Sequence, residues 1–235
     1  MAGHLVVHES EAMRVPDSLP LLEAAAIPEV FLTAYDALFA QGQLAAGEVA
    51  LLHAAGSGIG TAAVQMAKAS GAVTVGTARH QDKLDACRAL GLDHGIAVQD
   101  GQFAKAMLDL TAGRLSNVIL DTVGAAYLQE NLKALAPLGH LVIIGLLGGA
   151  KAEFPLGALL EKRARVVGSV LRSRSLAEKA TLSQAFSQRM LPLFASGVLR
   201  PVIDRVMPMS EIREAHRYMA SNQNFGKVII DFQQG

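Results

Sequence analysis

The chain has 235 residues, 51% of them hydrophobic, with 21 basic and 21 acidic side chains and so no formal net charge at neutral pH. That balance excludes an electrostatic footprint for nucleic acid, and a single cysteine, Cys87, excludes an internal disulfide framework and any multi-cysteine zinc site. A mean hydropathy of +0.32 suits parallel strands buried on both faces.

Residues 1–20 hold two short strand-like pieces, Leu5–His8 and Met13–Pro16, punctuated by Pro16 and Pro20, which cannot form a core alone. The N-terminus lacks a basic region followed by a long apolar core, so it does not read as a signal peptide. A helical pattern from Leu21 is interrupted at Pro28, and a strongly apolar helix over Val30–Gln41 is closed by Gly42. A buried strand is expected at Val49–His53. Strands at Val73–Thr77, His94–Val98, Asn117–Asp121, His140–Gly145 and Arg165–Val170 then alternate with helices at Asp82–Leu90, Phe103–Thr111, Tyr127–Ala136 and Leu156–Lys162. Six strands joined this way make an α/β fold with a doubly wound parallel sheet, whose ligand crevice lies above the carboxyl ends of the strands. Beyond it, a long amphipathic helix over Leu176–Phe194, a strand at Val202–Val206, a helix over Ser210–Ala220 with Ser210 as N-cap, and a closing strand at Lys227–Phe232 lie outside the sheet. The longest apolar run, around Leu141–Ala150, is broken by glycines and too short to span a bilayer, so a cytoplasmic protein with no membrane partner is expected.

The chemistry concentrates after the first strand. In His53-Ala-Ala-Gly-Ser-Gly-Ile-Gly-Thr, Gly56, Gly58 and Gly60 permit a sharp turn and close approach of backbone N–H groups to a pyrophosphate, and the helix that follows offers unpaired donors at its positive end. Strand, glycine turn and helix in that order form a Rossmann dinucleotide-binding unit. About 20 positions on, where an NAD-binding carboxylate would stand, the chain has Thr77, Ala78, Arg79 and His80. Arg79, His80 and Lys83 suit the 2′-phosphate of NADPH, with solvated surface charge as the bland reading and Asp82 as an opposing charge.

These residues resemble the zinc-independent NADPH quinone oxidoreductases of the medium-chain dehydrogenase/reductase superfamily. The likeness is carried by the glycine turn, by Ala24-Ala-Ala-Ile-Pro-Glu-Val-Phe-Leu-Thr-Ala-Tyr35, by Asp121-Thr-Val-Gly124, by Gly168-Ser-Val-Leu-Arg-Ser-Arg174 and by Asn224-Phe-Gly-Lys-Val-Ile. It implies three parts: residues 1–28 ending a GroES-like catalytic domain most of which is missing, a Rossmann domain at 29–172, and a return to the catalytic domain at 173–235. A chain truncated at its N-terminus is therefore expected, with exposed apolar surface where the missing strands would pack. The resemblance further implies roles for single residues. Thr33 would lie near the nicotinamide or its phosphates, and Ser57, Gly58, Ile59 and Gly60 would hold the pyrophosphate. Thr77, Arg79, His80 and Lys83 would face the 2′-phosphate. Gly145, Leu146, Leu171 and Arg172 would line the nicotinamide, and Asn224 and Lys227 would border the cleft. Val98 departs from the family pattern at an adenosine contact. Leu146 and Leu171 as plain core, Asn224 as a turn former and Asp121 as a packed strand-end carboxylate remain open alternatives.

No Ser-His-Asp, Cys-His or paired-carboxylate set is present, and the seven histidines have no metal-ligand spacing. No catalytic side chain and no metal are therefore expected, which suits hydride transfer that needs positioning more than acid or base. The expected activity is NADPH-dependent reduction of a quinone or conjugated carbonyl by a homodimer. An enoyl-reducing relative and a catalytically inactive NADPH-binding or dimerisation module are the alternatives.

Overall fold

A computed structural model describes residues 4–232. A 3-10 turn at Glu9–Glu11 precedes α1 (Leu21–Ala24) and α2 (Pro28–Tyr35). Then come β1 (Val49–Leu52), α3 (Gly58–Ala69), β2 (Val73–Ala78), α4 (Gln81–Arg88), β3 (His94–Ala97), α5 (Ala104–Leu110) and β4 (Ser116–Asp121). These are followed by α6 (Leu128–Ala134), β5 (Leu135–Ile143), α7 (Leu156–Lys162), β6 (Arg165–Gly168), α8 (Leu176–Ala195), β7 (Ile203–Pro208), α9 (Ile212–Ala220) and β8 (Lys227–Asp231). The chain divides into two units: Thr33–Val170, and the two flanking segments up to Leu32 and from Leu171.

The Thr33–Val170 unit carries the six-stranded sheet in the order β3-β2-β1-β4-β5-β6, every neighbouring pair parallel. The order reverses direction between β1 and β4, the switch point at which such sheets bind ligands. Every residue of β1 is buried, as expected for a central strand covered on both faces. One apolar cluster joins Val49, Leu51, Val75, Ile119 and Leu141 of the sheet to Phe103, Met107, Leu128 and Leu132 from α5 and α6 and their approaches.

Several elements depart from the sequence reading. The helix expected to reach Ala136 stops at Ala134, and β5 begins at Leu135 rather than His140. Pro137 has no N–H to continue a helix. The strand absorbs the surplus residues as an irregularity, with Leu138 at φ 62° and the register moving from Ser116↔Leu135 to Val118↔His140. Pro28 starts α2 instead of merely breaking a helix, as its missing N–H allows at a first helical position. That helix ends at Tyr35, and Asp36–Gln41 forms a π-helical turn.

In the other unit, α8 opens with a capping box: the Ser175 side chain accepts from Glu178 N–H and the Glu178 carboxylate accepts from Ser175 N–H. Its apolar face buries Phe186, Met190 and Phe194, and Phe194 meets Phe31 edge-on at 4.8 Å. Strands β7 and β8 pair in parallel. Ser210 is not the cap of α9: it lies within a 3-10 turn, Met209–Glu211, that leads into the helix. Leu5–His8 and Met13–Pro16 join no strand ladder.

Candidate functional site

The glycine turn is built by close packing of backbone on backbone. A Cβ on Gly60 would lie 2.2 Å from the Ala54 carbonyl oxygen and 2.6 Å from that of Ala55, so α3 can seat against the end of β1 only where residue 60 has no side chain. Ser57 caps α3, its hydroxyl accepting from Gly60 N–H at 3.0 Å, and the Ser57 carbonyl takes Thr61 N–H at 2.8 Å. Helix geometry leaves the Gly58 and Ile59 amides without intrahelical partners, and both residues are half-buried, within reach of an anion. Such donors at the start of a three-turn helix suit a pyrophosphate.

Strand β2 runs parallel to β1 and ends beside this turn, with Ala55 N–H donating to the Thr77 carbonyl at 2.9 Å. Arg79 and His80 follow it, both exposed, and Lys83 is half-buried in the first turn of α4. Thr77 is buried, with its hydroxyl on the His53 ring at 2.9 Å, so it lies under the basic residues rather than among them.

Sequence reasoning took His53 only as the end of a strand and missed the group it organises. His53 Nε2 lies 2.6 Å from Asn131 Oδ1, and Asn131 Nδ2 donates to Asp121 Oδ2 at 3.1 Å. Asp121 Oδ1 accepts from the N–H groups of Val123 (2.7 Å) and Gly124 (3.0 Å). His53, Thr77, Asp121 and Asn131 are all buried. Phe103 and Tyr127 enclose the imidazole, each with its ring centroid 4.9 Å away. Burial pushes the His53 pKa below the usual imidazole value, against the opposing pull of Asp121 and Asn131, so the ring is neutral. The sequence signal was a histidine closing an otherwise apolar buried strand, where a polar ring requires partners.

The loops after β4 and β5 are joined to each other. Ile144 N–H donates to the Asp121 carbonyl (2.8 Å), Leu147 N–H to Thr122 (3.2 Å) and Gly148 N–H to Val123 (2.7 Å), while Ala125 N–H donates to Gly149 (3.0 Å). A Cβ on Gly145 would lie 2.8 Å from the Thr122 carbonyl oxygen. Among the described residues, Thr122 Oγ1 is the buried side-chain polar atom that has no hydrogen-bond partner. An unpaired buried hydroxyl at the carboxyl end of β4 fits a polar ligand group there. Together with the Gly60 cradle and the two free helix amides it makes the residues present compatible with a dinucleotide. Gly145 is half-buried and Leu146 exposed, so Leu146 is not core; Thr33 is half-buried in α2.

The remaining expected residues fall in the other unit. Leu171 is half-buried and Arg172 exposed. Asn224 Nδ2 donates to the Gly226 carbonyl at 2.9 Å, a turn-forming bond, and Lys227 Nζ lies 3.3 Å from Glu29 Oε2. Among the described residues no group of three or more His, Cys, Asp and Glu is arranged to hold a metal ion. No helix among them is long and apolar enough to cross a membrane.

Comparison with known proteins supports the fold. Highly-reducing polyketide synthase 1 of Aureobasidium melanogenum is 31% identical over 229 residues, covering 94% of this chain and 10% of that protein; the chain spans about a tenth of the curated relatives it matches. Among solved structures, a NAD-dependent alcohol dehydrogenase superposes with a TM-score of 0.85 and 32% identity, over 97% of this chain and 63% of that one. The Pseudomonas syringae pv. Tomato DC3000 quinone oxidoreductase gives 0.83 and 30%, over 94% and 68%. The JamJ enoyl reductase gives 0.80 and 28%, over 92% and 64%. The family described as zinc-binding dehydrogenase matches residues 58–195, more than half of the chain. Although the described residues offer no zinc ligand set, this chain belongs to the zinc-binding dehydrogenase family of the medium-chain dehydrogenase/reductase superfamily, an oxidoreductase family served by nicotinamide cofactors.

Proposed function

We propose that this chain is the nucleotide-binding part of an NADPH-dependent reductase acting on an enoyl group, the conjugated carbon–carbon double bond of an unsaturated carbonyl compound. The observation that carries the reading is likeness along nearly the whole chain to highly reducing polyketide synthases and to an enoyl reductase of known structure. When bound, a reduced nicotinamide would be the source of the hydride for such a reduction. The chain's own part is to bind and orient. Gly58 and Ile59 amides hold the pyrophosphate, with Ser57 and Gly60 shaping the turn. Arg79, His80 and Lys83 face the 2′-phosphate, and the absence of a carboxylate from Thr77 to Gln81 removes the group that would favour NAD. The Thr122 hydroxyl, Gly145 and Leu146 border the nicotinamide. Thr33, Leu171, Arg172, Asn224 and Lys227 keep the roles that the family resemblance implies.

The enzyme in this reading is a cytoplasmic homodimer with a small-molecule acceptor. Support for pairing comes from β6, an edge strand with one neighbour among the described residues, and from Leu156 and Leu160 of α7, which are 72% and 81% exposed. A second reading, quinone reduction, is favoured by the likeness to the bacterial quinone oxidoreductase.

The test is NADPH and NADH titration of the purified chain, followed by NADPH oxidation with an enoyl thioester and with a small quinone. NADPH is expected to bind at least tenfold tighter than NADH, and Arg79→Ala to erase that preference, as the loss of a charge-assisted phosphate contact requires. Oxidation with the enoyl thioester and not the quinone supports the proposal, and the reverse selects the second reading. Tight binding with turnover of neither acceptor makes the chain a binding module.

A further inference from the structure

The bonds at the switch point run in one direction. Asn131 presents its amide N–H to Asp121, so its carbonyl oxygen faces His53 and Nε2 must be the protonated ring nitrogen. Nδ1 is then an acceptor, and the Thr77 hydroxyl donates to it. The donors to the Asp121 carboxylate are two backbone amides and one side-chain amide, all neutral. A buried carboxylate held this way, beside an imidazole enclosed by Phe103 and Tyr127, is expensive compared with an apolar filling of the same volume. What it supplies is orientation. Thr77 stands at the end of β2, His53 at the end of β1 and Asp121 at the end of β4, and Asn131 ties the last two from α6. From Asp121 the chain of bonds continues through the Val123 and Gly124 amides into the turn after β4, where Gly124 takes φ 78°. That turn holds the loop after β5 by its bonds to Leu147, Gly148 and Gly149.

We propose that His53 and Asn131 are positioning residues, which through this directional hydrogen-bond chain set the loops after β4 and β5 relative to the glycine turn. If the dinucleotide reading above holds, the chain couples the phosphate-binding end of the site to its nicotinamide end, a coupling that rests on that reading. Coupling of this kind is established by double-mutant cycles and not by adjacency.

The experiment is an exchange of polarity. Asn131→Asp alone sets a second carboxylate against Asp121, and Asp121→Asn alone sets two N–H donors against each other unless Asn131 turns over and reverses the chain through His53. The double variant D121N/N131D restores each donor–acceptor pair: the new amide donates to the new carboxylate, which also accepts His53 Nε2–H. Amide hydrogen exchange is followed on the purified chain without nucleotide, with NADPH affinity measured separately. Each single variant is expected to speed exchange in residues 122–125 and 145–149 by roughly tenfold while the interior of α3 is unchanged, and the double variant to return both loops toward native protection. Exchange that rises equally in α3, or a double variant no better than the singles, overturns the proposal. Where a single variant fails to fold, Thr77→Val is the milder probe, removing only the hydroxyl at the head of the chain. Faster exchange in the same two loops supports the proposal, and none overturns it. Loops that behave as expected in a chain whose native form binds no NADPH uphold the positioning role and overturn the dinucleotide reading instead.

Discussion

The two ends of the six-stranded sheet solve the same problem differently. At the amino ends of β2 and β3, Asp93 accepts from Thr74 N–H at 2.9 Å, from the Thr74 hydroxyl at 3.1 Å and from Lys68 Nζ at 2.6 Å. Burial raises its pKa, but those partners outweigh it and hold the carboxyl below the usual carboxylate range. Water reaches that end, and the Lys68 side chain is 48% exposed. At the carboxyl ends, Asp121 is fully buried and bound to neutral donors. The first arrangement ties strands together with a charge pair that solvent screens. The second accepts a higher desolvation cost in return for fixed directions, at the end where doubly wound sheets bind their ligands.

Breaking the carboxyl end at its tightest point has the largest expected effect. Gly60→Ala forces a methyl group into the Ala54 carbonyl, and a loss of about 3 kcal/mol in urea unfolding is expected. Next comes His53→Leu, which strands the Asn131 carbonyl and the Thr77 hydroxyl in an apolar surrounding. It should cost about 2–3 kcal/mol in the same measurement. Asp93→Asn at the opposite end should cost about 1 kcal/mol, less in high salt, because its cationic partner stays solvated.

Acid sharpens the contrast. The unfolded chain takes up a proton on His53 near pH 6.5, whereas burial keeps the folded ring neutral. Stability at the carboxyl end therefore declines as pH drops below about 6.5, and the decline stops once the folded ring protonates at its lowered pKa. Asp93, with a depressed folded pKa, loses its contribution only below about pH 4. Denaturation midpoints between pH 7 and 3 should show the first slope flattened in His53→Gln and the second in Asp93→Asn. The smallest effect is at Cys87, whose thiol burial pushes up to about 12. It should resist iodoacetamide at pH 8.5 in the folded chain and react on unfolding.

Much of the nucleotide unit was legible because its signals are local. Apolar runs alternating with helical segments marked all six strands, and the glycines at 56, 58 and 60 marked the turn, although the capping role of Ser57 emerged only from the structure. The parts that were not legible depend on distant partners or on backbone irregularity. His53 meets a residue 78 positions away, so its role needs the fold before it can be read. The family resemblance put Thr77 at the 2′-phosphate together with Arg79, and only the fold reveals that its buried hydroxyl meets His53. The early start of β5 was hidden because Leu135 and Ala136 continue a helical pattern up to Pro137, and the bulge that absorbs them leaves no periodic trace.

Among the described residues β6 ends the sheet, and that edge has a practical consequence for handling the protein. With no net charge at neutral pH, copies repel one another weakly, and the terminal strand of the described sheet and the exposed Leu156 and Leu160 each offer them a place to adhere. Precipitation should therefore set in at lower protein concentration near pH 7 than at pH 9, and Leu160→Lys, at a side chain that is almost wholly exposed, should raise the solubility ceiling at both.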